Sequence, residues 1–167
     1  MEITADEPRF FEVEPLDGES LSHFLGRFRR ENYLTSTQLG KLAGLGAVIL
    51  RWEKLYFNPF PTRQELEDLA SVVGVNADRL MEMLPSQGMT MKPRPIRLCA
   101  ACYAESPCHR VEWQLKDKIR CDHHNLRLLI KCTNCETLFP IPADWVQGEC
   151  SHCFLPFATM AKRQKRD

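Results

Sequence analysis

The chain has 167 residues, 44% of them hydrophobic and 26% charged, with a formal net charge of zero. That is the make-up of a folded chain of one ordinary domain or two small ones. No stretch approaches the roughly 18 consecutive apolar residues of a membrane span, and the segment 1–20 sets seven acids against Arg9 alone, with none of the apolar run of a secretory leader. The expectation is a soluble, cytoplasmic protein with no membrane partner and no small-molecule substrate.

The zero charge hides an asymmetry. Residues 1–92 hold 10 basic and 14 acidic side chains, and residues 93–167 hold 12 and 8. Two divalent ions held by seven thiolates would bring the second half to about +1, so net charge says little about partners. The cysteines are more informative: all eight lie between Cys99 and Cys153. In a reducing compartment, paired thiols point to metal rather than to disulfides.

In chain order, residues 1–19 form an acidic arm in which Phe10, Phe11 and Val13 are interleaved with charge. It reads either as a tail or as an extended segment that docks on a partner. Residues 20–85 read as a helix-turn-helix-like helical domain. Ser20 is an N-cap before Leu21, Phe24, Leu25 and Phe28, one apolar helical face, with Arg27, Arg29 and Arg30 expected on the wet side. Thr35 and Gln38 have capping-box spacing ahead of Leu39, Leu42 and Ala43. Gly44-Leu45-Gly46 breaks the helix, and a new one is expected from Ala47 to Tyr56. Asn58-Pro59-Phe60-Pro61 is non-helical. Thr62 and Glu65 form a second capping box before Leu66, Leu69, Ala70 and Val73, Gly74 caps the C-terminus, and Asn76 starts a last helix carrying Leu80, Met81 and Leu84. Five helices are expected.

The spacing from Gln38 to Leu80 resembles phage-repressor helix-turn-helix domains, whose third helix reads bases from its first turns. Here those turns are Ala47-Val48-Ile49-Leu50, and only Arg51 and Lys54 could reach DNA. The helix therefore suits protein docking through Val48, Leu50, Arg51 and Lys54 better than base reading, with a purely structural module as a further reading. Trp52, Tyr56 and Phe57 are read as core.

Residues 86–96, with glycine and two prolines and no periodicity, are a linker. The rest is a small α+β metal-binding part, so the fold class is mainly α. Cys99-x2-Cys102 followed by Cys121-x2-His124 defines a first zinc finger over 97–130, with His123 the alternative fourth ligand. Cys108-His109 is a spare pair, read as a free thiol and a surface imidazole in preference to ligands. Cys132-x2-Cys135 and Cys150-x2-Cys153, fourteen residues apart, define a zinc ribbon over 131–158, with short strands around Leu138, Phe139 and Ile141 and around Phe154, Leu155 and Phe157. Its core looks small, so two structural zinc ions are expected to supply much of the folding free energy. Both sites offer four strong ligands and no open position, and no phosphate-binding loop or nucleophile elbow is present, so catalysis is not expected. Residues 159–167 are a basic tail. The candidate phosphate contacts are Arg97, Arg110, Lys116, Lys118, Arg120, Arg127, Lys131, Lys162, Arg163, Lys165 and Arg166, each equally readable as a solvated charge.

Several segments are similar to one family. Asp17-Gly-Glu-Ser-Leu-Ser-His-Phe-Leu-Gly-Arg27, Arg97-Leu-Cys-Ala-Ala-Cys-Tyr103, Trp113-Gln-Leu115, Cys121-Asp-His-His124, Leu128-Leu129 and Cys132-Thr-Asn-Cys135 resemble, in order, the signatures of TniQ transposition proteins. Ala100 and Asp122 depart from it, where proline commonly follows a ligand cysteine. The chain looks like the compact form of CRISPR-associated transposons in cyanobacteria. The resemblance implies a helix-turn-helix domain followed by zinc fingers. It also implies a non-enzymatic adaptor that joins a CRISPR effector with its guide RNA to an AAA+ ATPase transposition regulator, with DNA or RNA backbone as a further contact. A small helix-turn-helix and zinc-ribbon transcription regulator is the alternative.

Overall fold

The computed structural model describes residues 10–166, so the first nine residues of the acidic arm and Asp167 lie outside the described residues. Five helices fill the N-terminal half: α1 (Leu21–Glu31), α2 (Ser36–Ala43), α3 (Val48–Glu53), α4 (Arg63–Val73) and α5 (Ala77–Met81). Their starts are set by side-chain caps. The hydroxyl of Ser20 accepts from the His23 amide, Thr35 and Thr62 make reciprocal capping boxes with Gln38 and Glu65, and Asn76 accepts from Arg79. Gly44 and Gly74 end α2 and α4 in the left-handed conformation, at φ of 70° and 73°. The helix expected to reach Tyr56 stops at Glu53, because the chain reverses at Leu55, a buried residue held at φ 66°.

Leu21, Phe24, Leu25, Phe28, Leu39, Ile49, Trp52, Leu66, Leu69 and Leu80 form the helical core. Phe10 and Val13 of the arm pack against it, the Phe10 ring standing edge-on to Phe28 at 5.9 Å. The opposite face of α1 is buried too, which corrects the expectation that its arginines are wet. Arg29 pairs with buried Glu53 at 2.6 Å, Arg27 pairs with fully buried Glu19 at 2.6 Å, and Arg30 donates to the carbonyls of Ala143 and Trp145. Burial alone would raise the Glu19 carboxyl, but bonds from His23 and Arg27 hold it below the usual range.

That second face of α1 meets the C-terminal half. Ser20 N donates to His109 O at 2.8 Å, Ala143 N donates to Ser22 Oγ at 3.1 Å, and Gly26 lies so close to Ala143 that an added Cβ would sit 2.2 Å from its carbonyl oxygen. Only glycine permits that approach. The C-terminal half holds one short helix, α6 (Ala100–Glu105), and 3-10 segments at Val111–Gln114, Pro142–Asp144 and Phe157–Arg163. The short strands expected around the ribbon are isolated antiparallel bridges. Its core is larger than the sequence suggested, because aromatic rings from distant segments converge: Trp145 lies 4.8 Å from Phe157, and Phe157 lies 5.4 Å from both Tyr103 and Phe139. The tail is not a free arm, since Met160 is fully buried and Gln164 nearly so.

His109 corrects the reading of a surface imidazole, because it is fully buried, whereas Cys108, buried beside it, is a free thiol as expected. The Ser20 hydroxyl lies 2.8 Å from His109 Nδ1, and Gln114 Oε1 lies 3.2 Å from Nε2. Ser20 already accepts from His23 N and Gln114 Oε1 already accepts from Arg97 N. The consistent tautomer is therefore neutral, with Ser20 donating to Nδ1 and Nε2–H donating to Gln114. Burial pushes the imidazole down to about 3. Among the described residues no helix is long and apolar enough to cross a membrane.

Candidate functional site

Eight side chains gather into two groups, Cys99, Cys102, Cys121 and His124 in one, and Cys132, Cys135, Cys150 and Cys153 in the other. Within each, the ligand atoms lie within 4.8 Å of one another. In the first group Cys102 Sγ is 3.2 Å from Cys121 Sγ, and His124 Nδ1 is 3.3, 3.8 and 4.0 Å from the sulfurs of Cys102, Cys121 and Cys99. In the second, Cys132 lies 3.6 Å from Cys153 and Cys135 lies 3.5 Å from Cys150. A tetrahedron with metal–sulfur bonds of about 2.3 Å has edges of about 3.8 Å. Both groups are close to that size, and no cysteine among the described residues is in a disulfide. Each group could hold one metal ion, and thiolate and imidazole donors in fours are consistent with zinc.

The local chain explains why the donors converge. Three of the four ligand pairs share one turn. The amides of Cys121, Cys132 and Cys150 donate to the carbonyls of Leu126, Thr137 and Leu155 at 2.8, 2.8 and 2.9 Å. The amides of Asn125, Glu136 and Phe154 turn back to the three cysteine carbonyls, with φ of 53°, 64° and 64°. In each turn the amide two residues on, of His123, Asn134 or His152, donates to the cysteine sulfur at 3.3 to 3.4 Å. Such bonds favour the thiolate. The fourth pair is built differently: Cys99 occupies the N-cap of α6, its sulfur accepting from Cys102 N.

Of the two histidines, the structure brings His124 to the sulfurs, while His123 is half exposed with Nε2 3.5 Å from Glu112. The other face of the His124 ring donates through Nε2 to Glu105 Oε1 at 2.7 Å, which leaves Nδ1 with the lone pair a metal needs. Sequence reasoning missed Glu105. The available signal was its position three residues after Cys102, at the end of α6.

Proton affinities within the second group diverge. Burial pushes Cys132 up to about 11, while the Thr137 hydroxyl and amide bring Cys135 down to about 6. In the first group burial raises Cys99 and Cys102, whereas Cys121, despite its burial, is lowered by bonds with Cys102 and His124. Crowded sulfurs resist full ionisation by mutual repulsion, and a dication at their centre is the group that removes it.

The candidate basic residues are not equivalent. Arg97 is only 5% exposed, and its guanidinium donates to the carbonyls of Leu115, Lys118 and Lys92. It braces the first finger from inside, which corrects its reading as a phosphate contact. Arg110 is half-buried against Glu112 and Asp17 O, and Lys118 is paired with Asp122. Arg120 is half-buried in an antiparallel bridge with Arg127, and Lys116, Arg127, Lys131, Lys162, Arg163, Lys165 and Arg166 are exposed. Of the candidate docking residues, Leu50 is 44% exposed and Phe11 67%, Lys54 is exposed, and Val48 and Arg51 are half-buried. Phe11 is held by two backbone bonds with the Asn32 side chain.

A helix-turn-helix-like domain packed onto two closed four-donor clusters defines a compact helical protein with two metal-binding modules. The chain belongs to the TniQ family, whose model matches residues 10–128, from the docked arm through the first cluster. Membership makes it a transposition-associated protein. No curated protein matches the chain at a significant level.

Proposed function

We propose that this chain is a non-enzymatic adaptor in RNA-guided DNA transposition, linking a CRISPR effector and its target complex to an AAA+ ATPase transposition regulator. Two structural zinc ions hold the surfaces that do the linking. The observation that carries the reading is the family match over residues 10–128, joined to two clusters whose four donors leave no open position for a substrate. A catalytic zinc keeps three protein ligands and one exchangeable position. Membership in the family is what favours a role in transposition over a transcription regulator, the RNA-guided part resting on the resemblance to the compact form, and α3 also speaks against a base reader. It has six residues, buries Ile49, Trp52 and Glu53, and exposes Leu50 where a base-reading side chain would be needed. Modest protein and nucleic-acid contacts carried on one chain reinforce each other through effective concentration.

The test is retention of the zinc-loaded chain on random-sequence duplex DNA, naked and coated with the ATPase. The adaptor reading expects retention that depends on the ATPase. Tight, sequence-selective binding by the chain alone would overturn it in favour of the regulator.

A further inference from the structure

A cleft of about 530 Å³ lies between α1 and the C-terminal half, and three polar side chains that line it have bonding capacity the fold leaves unused. Trp145 is their hub. Its ring stands edge-on to His23 and to Tyr103, each at 5.9 Å, and its carbonyl accepts from Arg30 Nη2 at 3.3 Å. Arg30 is half-buried and meets only neutral acceptors, the carbonyls of Ala143 and Trp145. Its neighbours Arg27 and Arg29 are neutralised by Glu19 and Glu53, whereas Asp144 and Glu53 act on Arg30 only at a distance. Glu31, the acid in the lining, is exposed and pairs with no cation among the described residues. A half-buried charge held by carbonyls alone lacks the counter-charge that would offset its desolvation.

His23 is only 2% exposed. Its Nδ1–H donates to Glu19, whose carboxylate also accepts from Arg27, so Nε2 carries the lone pair. Burial lowers the proton affinity of the imidazole and keeps it in that neutral form. Neither Nε2 nor the Tyr103 hydroxyl has a hydrogen-bond partner among the described residues. The sealed polar atoms without a partner are Trp113 Nε1 and Thr133 Oγ1, so the His23 and Tyr103 atoms keep contact with the cleft they line. Gly148 makes room for the hydroxyl: an added Cβ there would sit 2.3 Å from its oxygen. Unmatched polar groups this deep are costly unless something pairs with them.

We propose that this cleft binds a carboxylate-bearing residue of a partner polypeptide, the carboxylate meeting Arg30 and the Tyr103 hydroxyl while the residue's own backbone N–H donates to His23 Nε2. It deepens the adaptor function and rests on that reading for its cellular role. The ligand follows from the unmatched groups. The guanidinium calls for an anion, the neutral imidazole calls for a donor close to that anion, and Val13 and Val146 in the lining offer apolar surface to the adjoining side chain. A phosphodiester supplies the charge but no N–H or O–H on the same group. A C-terminal residue and an aspartate within a chain both set a carboxylate a few bonds from an N–H, and they share this chemistry.

The experiment is an NMR titration of the 15N-labelled, zinc-loaded full chain, following the amides of Gln147 and Gly148 and the ring nitrogens of His23. The probes are N-acetyl-leucine for a chain end, N-acetyl-aspartate N-methylamide for an internal aspartate, N-acetyl-leucinamide without the charge, and acetate without the N–H. At least one of the two carboxylate peptides saturates the cleft and shifts His23 Nε2, and the tighter of them identifies the source. The uncharged amide binds about tenfold more weakly or worse, and acetate leaves Nε2 unmoved. Arg30→Gln weakens binding about tenfold or more. Because Arg30 also holds Ala143, its melting temperature is checked, and Tyr103→Phe decides where that has fallen. Tyr103→Phe gives up no hydrogen bond of the free protein, so it melts as the wild type does and loses about threefold or more in affinity. Lys41→Gln, outside the cleft, keeps the wild-type affinity. No shift with either carboxylate peptide, the amide or acetate binding as tightly as the better of them, or Tyr103→Phe with wild-type affinity would overturn it. Retention on ATPase-coated DNA is a separate readout, so failure there with peptide binding intact removes only the adaptor reading.

Discussion

The contact between α1 and Ala143 joins the two halves, and Gly26→Ala tests it. The new methyl carbon would stand 2.2 Å from Ala143 O and 2.7 Å from Ala143 Cα. Both partners are backbone, so no side chain can swing aside, and the 142–145 segment must retreat by about 1 Å to restore van der Waals distance. Overpacking of this kind costs about 1 to 3 kcal/mol. The retreat also strains the Ala143 N to Ser22 Oγ bond and the Arg30 bonds to Ala143 O and Trp145 O, worth about 1 kcal/mol for the neutral bond and about 1.5 to 3 for the charged ones. Alanine returns about 1 kcal/mol of helix propensity. The net expectation is a loss of about 3 kcal/mol, which lowers the melting temperature by about 10 °C in a chain of this size. Circular dichroism melts with zinc in excess measure it. A variant that melts at or above the wild-type temperature would mean that propensity alone is felt, and that α1 does not lean on Ala143 as described.

Other perturbations separate the roles of neighbouring groups. Cys150→Ser removes a donor from the second cluster only, so metal analysis should find one ion per chain instead of two, with the helical half still cooperative on melting. Glu105→Gln leaves all four donors of the first cluster in place but weakens the carboxylate behind His124, and competition with a chromophoric chelator should show a loss of about 10- to 100-fold in affinity at one of the two sites. For pH, the buried imidazole of His109 sits far below its unfolded value, at about 3. A base held neutral by the fold contributes fully above the unfolded value and loses its contribution as pH falls toward the folded one. Urea unfolding in excess zinc should therefore show stability falling between pH 6.5 and pH 5 by up to about 1.4 kcal/mol per pH unit from this group, with a shallower slope in His109→Gln. Equal slopes in the two proteins would assign the acid sensitivity elsewhere.

What the sequence made legible is local. Caps and apolar periodicity at Ser20, Thr35, Thr62 and Asn76 act within one helical turn, and the knuckle spacing of Cys121, Cys132 and Cys150 acts within six residues, so both could be read without knowing what lies across the molecule. The failures depend on long-range neighbours. Arg27, Arg29 and Arg30 look solvated on a helical wheel because the wheel shows one buried face, and α1 has two. Arg97 looks like a phosphate ligand until Leu115, Lys118 and Lys92 present their carbonyls to it. The aromatic core of the second half gathers Tyr103, Phe139, Trp145 and Phe157, spread over more than fifty residues, which no short window reveals. His124 could be preferred over His123 by spacing, but its supporting carboxylate at Glu105 depends on how α6 lies beside the knuckle.

The central claim is that two metal ions, held in closed four-donor clusters, fix the surfaces on which this TniQ-family chain works. Zinc quantified by mass spectrometry on the purified chain, together with a thiol titration under native conditions, tests it most directly. The account predicts two zinc ions per chain, with the seven cluster thiols protected until a chelator is added. Fewer than two ions with the cluster cysteines freely reactive, or joined in disulfides, would contradict it.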